Sequence, residues 1–236
     1  MKGVPDAMPG FASGSWLSGF TNSACEAMVI PDDRLTTGYN SPMALTQRDT
    51  QQHTYGDYLT WSDDHREELI DGIAYIREPP APSRPHQELV GGLYYEVRGA
   101  LEGKPCHVYI APFDVRLPKF DEADEKIDTV VQPDVLIVCD RHKLDQCGMR
   151  GAPDWLAEVL SPSTASHDQI IKLPVYERAG VPEVWLIHPT DRTLTIYRLE
   201  DGRYGRPTIL ELKGQTPLTA VPGVSIDWDR LLSQLV

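Results

Sequence analysis

Two acids and one lysine stand in places where their chemistry is unusual. Glu158 lies in the run PDWLAEVL and Asp134 in the run TVVQPDVLIV, each planted among apolar neighbours. With the two-residue repeat of a strand, Leu156, Glu158 and Leu160 share one face, while Trp155, Ala157 and Val159 share the other. Both faces are then apolar apart from a single carboxylate, as in a strand buried on two sides. A carboxylate that loses water without gaining a partner is costly, so buried acids are paired, protonated or bound to a cation. One acid on each of two strands suits Mg²⁺, a hard ion often held by one or two carboxylates together with water and substrate phosphate. Asp134 could instead cap the turn beside Pro133, and Glu158 could pair with a basic residue of a neighbouring strand. Two carboxylates also serve glycosidases, and spacing alone leaves that chemistry open.

Lys172 follows the second of these acids after the turn SPSTAS. It could simply form an exposed i,i+4 pair with Asp168. Alternatively, the turn folds a helix back along the strand and brings the ammonium over the carboxylates, where it could hold or deprotonate an attacking water. Tyr176 shares the helix face of Lys172 and suits core packing. Pro174 removes a backbone donor inside the helix and should distort it nearby. Three auxiliary candidates are His86 at the start of the first long helix, Glu88 one turn further on, and Asp114 between Phe113 and Val115. Each also has a structural explanation, as a cap, a solvent-facing acid or a strand residue. The sequence contains no phosphate-cradling Gly-rich loop, no HExxH and no GxSxG.

The elements that must position these residues can be read in order. WSDDHREELIDGIAYIREP predicts a short helical or turn segment and then a hairpin bent at Asp71-Gly72. After the Pro-rich connector PPAPSRP, the run HQELVGGLYYEVRGALEG repeats apolar residues at helical spacing through Leu89, Val90, Leu93, Tyr94, Val97 and Leu101. Gly103 supplies its stop, and Gly91 and Gly92 weaken it. Strands are expected over His107 to Leu117, Thr129 to Val138 and Pro153 to Leu160. The acidic loop PKFDEADEKID between the first two is expected to be a solvated hairpin tip. A helix begins near Ser166, with Ser166 and Gln169 in capping-box positions, and ends near Gly180. PEVWLIHP is a strand, RTLTIYRLEDGRYGRP a hairpin bent at Asp201-Gly202, and the tail carries two short elements. This order predicts an α/β (α+β) fold, a mixed central sheet flanked by helices with extra hairpins.

The 236-residue chain suits one domain over 53–236, preceded by a leader over 1–52 whose composition reads as disordered. Met43 is a candidate for the true translation start. With 41% hydrophobic and 24% charged residues the composition is that of a globular protein. No window approaches the roughly 18 apolar residues of a membrane span, and no signal-peptide h-region is seen, which points to the cytoplasm. Cys25, Cys106, Cys139 and Cys147 form no CxxC pair or zinc-ligand spacing, and are expected to be reduced thiols. The net charge of -13 opposes a standing electrostatic grip on nucleic acid, although charges balance between His167 and Arg206.

The runs PDVLIV, GAPDWLAEVLSPST and HDQIIKLPVYERAGVPEVWLIHP resemble the Uma-two family, a bacterial branch of the PD-(D/E)XK nuclease superfamily. The resemblance covers about Tyr55 to Tyr204 and implies a restriction-endonuclease-like fold. Carried onto this chain, it makes Asp134 the acid of the "PD" motif and Glu158 that of the "(D/E)XK" motif. Leu160 departs from the pattern, standing where the superfamily usually has lysine, and the resemblance assigns that role to Lys172. His86 matches the polar residue opening the family's first helix. The implied reaction is Mg²⁺-dependent hydrolysis of DNA or RNA, with Mn²⁺ as a substitute. Asp134, Glu158 and the Val159 carbonyl would hold the ion. A homodimer is implied too, and the hairpin edges near Asp71-Gly72 and Asp201-Gly202 could pair with a second copy. The competing expectation is a nuclease-fold protein without catalysis, used for binding or regulation.

Overall fold

The computed structural model describes residues 46–61, 66–77 and 83–235. Met43, the suggested start, and the leader before residue 46 lie outside these residues.

Along the chain we label the elements that build the centre of the molecule. These are α1 (Arg84–Ala100), β1 (His107–Ile110), β2 (Val135–Val138), β3 (Trp155–Val159), α2 (Leu173–Ala179), β4 (Glu183–His188), β5 (Thr193–Glu200), β6 (Thr208–Glu211) and α3 (Trp228–Ser233). The central sheet runs β5-β4-β3-β2-β1, with β6 and the short strand Arg203–Tyr204 also paired to β5. Only β3 and β4 are parallel; β1-β2, β2-β3 and β4-β5 are antiparallel. A parallel neighbour demands a crossover, so the chain after β3 must return over the sheet before β4 begins. That return carries α2 and Lys172 back toward the strand that holds Glu158.

A second sheet contains the hairpin Arg66–Ile70 and Ile73–Arg77, extended by Thr46–Gln47 on one side and by Val130–Val131, Val115–Arg116 and Gly148–Arg150 on the other. Thr46–Gln47 pairs with Tyr75 and Ile76, so the described fold already includes residues ahead of 53. Both expected hairpin bends form: Asp71 and Gly72 take φ of 51° and 80°, Asp201 and Gly202 φ of 51° and 79°. Successive left-handed residues are what a two-residue turn between right-twisted strands requires.

Two of the expected strands are each divided between the sheets. The first yields β1 and then Val115–Arg116, the second Val130–Val131 and then β2. The breaks fall at Pro112 and Pro133, which have no N–H to give a ladder. Asp134 therefore sits where the chain passes from one sheet to the other. The acidic loop is also less solvated than expected. Asp124 receives both Arg116 and Arg150, Ile127 is fully buried, and Lys119 bridges Asp71 at 2.8 Å and Asp128 at 2.6 Å.

The period-two reading of β3 holds. Trp155, Ala157 and Val159 join the core beneath α1 and α3, where Trp155, Trp185 and Trp228 pack in sequence. Leu156 and Leu160 join the opposite core with Val175, Tyr176 and the second sheet. Burying one such aliphatic side chain stabilises the fold by roughly 1.5–3 kcal/mol. α1 starts slightly ahead of its apolar repeat, because Ser83 accepts the His86 N–H and Pro85 occupies the first turn. Gly92 has a packing use: a Cβ there would lie 3.3 Å from Leu231 Cγ of α3.

The capping box expected at Ser166 and Gln169 does not form. Ser166 is already helical and makes no capping bond, while Gln169 donates to the Ala165 carbonyl. The turn is closed earlier, by Ser161 N–H on Thr164 Oγ1 and Ala165 N–H on the Ser161 carbonyl. From His167 to Lys172 the helix widens into a π turn, with the Leu173 N–H donating to Asp168, five residues back. Pro174, next in line, cannot donate at all, which accounts for a locally altered ladder just where it was expected.

Cys106 and Cys139 form a disulfide, which corrects the expectation of reduced thiols at these positions. They are 33 residues apart, invisible to a search for close-spaced pairs. The antiparallel register that sets His107 opposite Val138 brings them face to face. Among the described residues no helix is long and apolar enough to cross a membrane.

Candidate active site

The β2-β3 register pairs Ala157 with Val135, and one further step sets Glu158 opposite Asp134. Each carboxylate reaches the other strand's backbone. Val159 N–H donates to Asp134 Oδ2 at 2.8 Å, and Asp134 N–H approaches Glu158 Oε2 at 3.4 Å. In a strand a residue's N–H and C=O face the same edge. The Val159 carbonyl thus shares the edge on which its N–H meets Asp134.

Glu158 is fully buried, and its Oε1 accepts the Tyr176 hydroxyl at 2.5 Å and faces Lys172 Nζ at 2.6 Å. Lys172 is equally buried and also lies 2.9 Å from Glu68 Oε1 and 3.7 Å from Asp168 Oδ1. Its pairing with Asp168 exists, but as one contact of an interior charge cluster rather than as a surface pair. Three carboxylates from three separate elements enclose one ammonium. Tyr176 does pack in the core as expected, and in addition its hydroxyl fixes the Glu158 carboxylate. Burial, then the charges of Glu158 and Glu68, push this phenol well above its ordinary range, so it remains a neutral donor.

The auxiliary candidates divide. His86 Nε2 lies 3.3 Å from Asp134 Oδ2, and its buried Nδ1 has no hydrogen-bond partner among the described residues. Glu88 does not join the cluster; it pairs with Arg84 at 2.7 Å along α1. Asp114 is held apart, accepting Tyr58 OH at 3.0 Å and Gln132 Nε2 at 2.8 Å. Burial pushes its carboxyl up, partly offset by these two donors and by Arg116. Burial and the Asp114 charge push the Tyr58 phenol up in turn.

Glu68 and His167 were missed from the sequence. Glu68 is buried, accepts Gln132 N–H at 2.8 Å, and lies 3.2 Å from His167 Nε2. The His167 ring meets Tyr75 edge-on at 4.9 Å. A signal existed: Glu67 and Glu68 are consecutive in a strand, so they take opposite faces and one must turn inward. Glu67 goes to Arg48, at 2.8 Å, and Glu68 to the cluster.

The donor chemistry can be tested against a divalent ion. Among the described residues no three His, Cys, Asp or Glu side chains gather as a complete protein ligand set. Mg²⁺ does not demand one, because it retains water and takes substrate oxygens. Asp134 and Glu158, opposed across two strands, are hard oxygen donors of the right kind. The residues fit the ion.

Comparison with known proteins adds to this geometry. A family model described as "Putative restriction endonuclease", Uma2, matches residues 55–229. The crystal structure of a "putative nuclease" from Anabaena variabilis superposes with a TM-score of 0.60 at 19% sequence identity, covering 78% of this chain and 99% of that one. The likeness extends to the mixed α/β architecture around the central sheet. None of the curated proteins matches the chain.

Proposed function

Because this chain belongs to the Uma2 family, described as "Putative restriction endonuclease", we propose that it is a metal-dependent endonuclease hydrolysing phosphodiester bonds of DNA. The observation that carries this reading is the convergence of Asp134, Glu158 and Lys172, distant in sequence, with Lys172 Nζ 2.6 Å from Glu158 Oε1. Mg²⁺, or Mn²⁺ in its place, would be held by Asp134, Glu158 and the Val159 carbonyl, and when bound supplies Lewis-acid polarisation of the phosphate and a more acidic water. The chain's own residues do the rest. Lys172 offers a fixed positive charge to the phosphate and to the attacking water. Tyr176 holds the Glu158 carboxylate in place, and His86 stands beside Asp134 at the open end of the site, its side chain 14% exposed.

The acidic balance of the chain limits nonspecific affinity, since duplex binding is dominated by phosphate neutralisation. Cleavage is therefore selective or conditional rather than a consequence of avid binding. Dimerisation belongs to the same reading. β6 is exposed along its length, with Ile209 66% accessible, and pairing with a second copy would cover it.

The test is cleavage of supercoiled plasmid, single-stranded DNA and RNA with Mg²⁺ or Mn²⁺. The native chain is expected to cut, and Asp134→Ala, Glu158→Ala and Lys172→Ala to lose cutting. Cleavage that survives all three substitutions refutes the site. One observation favours the second reading, a silent nuclease-fold binding protein: Glu158 and Lys172 are both completely buried. Divalent-ion titration separates the two, because a binding protein of that kind leaves the Asp134/Glu158 pair without ion affinity.

A further inference from the structure

We propose that Glu68 is the positioning residue for Lys172, the carboxylate that keeps the ammonium aimed into the site while Glu158 serves the ion. The inference rests on the nuclease reading above and names a residue which that reading does not use. Lys172 cannot depend on Glu158 alone. Glu158 Oε1 is shared between Tyr176 and Lys172, and Oε2 faces the Asp134 backbone, so every demand placed on Glu158 by a cation competes with its hold on Lys172. Asp168 is further away, at 3.7 Å. Glu68 lies 2.9 Å from Nζ and approaches it from the second sheet, not from the strand pair that carries Asp134 and Glu158, so its hold on the ammonium does not pass through Glu158.

Glu68 is itself fixed at both oxygens. Oε1 accepts Gln132 N–H at 2.8 Å, two residues before Asp134, and Oε2 lies 3.2 Å from His167 Nε2. It stands on the second sheet, on the Arg66–Ile70 strand, whereas Lys172 comes from the crossover of the central sheet. The Glu68 carboxylate thus clamps the π turn at two of its residues, His167 and Lys172, to the strand break at Gln132. A lysine that arrives from a helix, rather than from the strand that carries Glu158, needs such an external fix; just past the end of β3 its place is filled by buried Leu160.

The experiment compares the full chain with Glu68→Gln, which keeps the shape and removes the charge, and with Glu68→Asp, which keeps the charge and shortens the reach. Four quantities are read: kcat and KM on plasmid, Mn²⁺ affinity by titration, and the ¹⁵N resonance of the buried Lys172 ammonium. Partners that orient an active-site group are worth about 10- to 100-fold in activity. Glu68→Gln is expected to lower kcat by that factor with KM and Mn²⁺ affinity unchanged, and to shift or broaden the Lys172 resonance. Glu68→Asp should fall between Glu68→Gln and the native chain. Unchanged kcat and resonance in Glu68→Gln overturn the proposal, and so does a loss of Mn²⁺ affinity, which would make Glu68 an ion ligand. If the native chain cuts nothing, the nuclease reading fails by itself. The ammonium resonance then still decides whether Glu68 orients Lys172, supporting the inference if it moves and overturning it if it does not.

Discussion

The two faces of β3 solve opposite problems with alternate residues of one strand. Trp155, Ala157 and Val159 face a layer of aromatic and aliphatic side chains beneath α1 and α3; the buried acids on that side, Glu183 and Glu96, meet the Trp185 indole N–H at 2.6 Å and Arg230, and do not gather around one group. Leu156 and Leu160 face the second sheet, yet between them Glu158 meets Lys172, Tyr176 and, through the lysine, Glu68. An apolar face tolerates repacking, because the hydrophobic effect has no direction. A face of interlocked charges does not, because each partner removed leaves another stranded in the interior. The difference teaches where to look for function: the second face would be simpler and no less stable if it were apolar too.

The sharpest way to break the comparison is Lys172→Met. Loss of one preorganised charge in a site of this kind lowers kcat by about 10²–10³. Leaving the acids around it unpaired should also cost about 3–5 kcal/mol in urea unfolding. Trp185→Ala, on the other face, should destabilise by about 3–5 kcal/mol through the cavity it opens. The cleavage rate per folded molecule should stay at the native value, and a matching loss of rate would show that the two faces are not separable.

A smaller effect is expected at Asp114. Its folded pKa lies above the ordinary 3.8, so the folded chain binds this proton more tightly than the unfolded one. Ionised Asp114 therefore lowers stability near neutrality, and that cost is relieved as pH falls through the raised pKa toward 3.8. Asp114→Asn keeps an acceptor for Tyr58 and Gln132. It should melt at or above the native temperature at pH 7, with the gap closing on acidification. Smallest of all, Glu88→Gln should change stability by no more than about 0.5 kcal/mol and leave cleavage intact, since it sits on the surface of α1 away from the cluster.

Much of the polar face was legible in the sequence, for a local reason. An acid inside an apolar strand can be assigned its face by counting residues, and an acid on the neighbouring strand makes the pair. Asp134 and Glu158 are legible in that way, whereas the role of Lys172, with Leu160 standing where lysine is usual, is what the family resemblance implies. Glu68 was not legible in the same way, because its partners Gln132, His167 and Lys172 lie on other elements and no spacing along REELIDG encodes them. The cysteine pairing was hidden for the same reason, being set by the register between β1 and β2. The capping box at Ser166 failed differently: Ser161 and Thr164 offered the backbone an earlier turn, and the local signal lost to a local competitor. The divided strands were foreshadowed by Pro112 and Pro133, but a proline shows only that a ladder is interrupted, not which sheet receives the chain afterwards.

The π turn from His167 to Lys172 makes the length of that segment as informative as its composition. Each residue of an ordinary helix advances the side-chain direction by about 100°. The widened turn already takes up one residue more than normal pitch, so a further residue inserted between the SPSTAS turn and Pro174 would swing Lys172 about that far from Glu158, with every site residue still present. In this chain the geometry of the candidate site is counted as well as spelled, and a change in spacing alone could retire it.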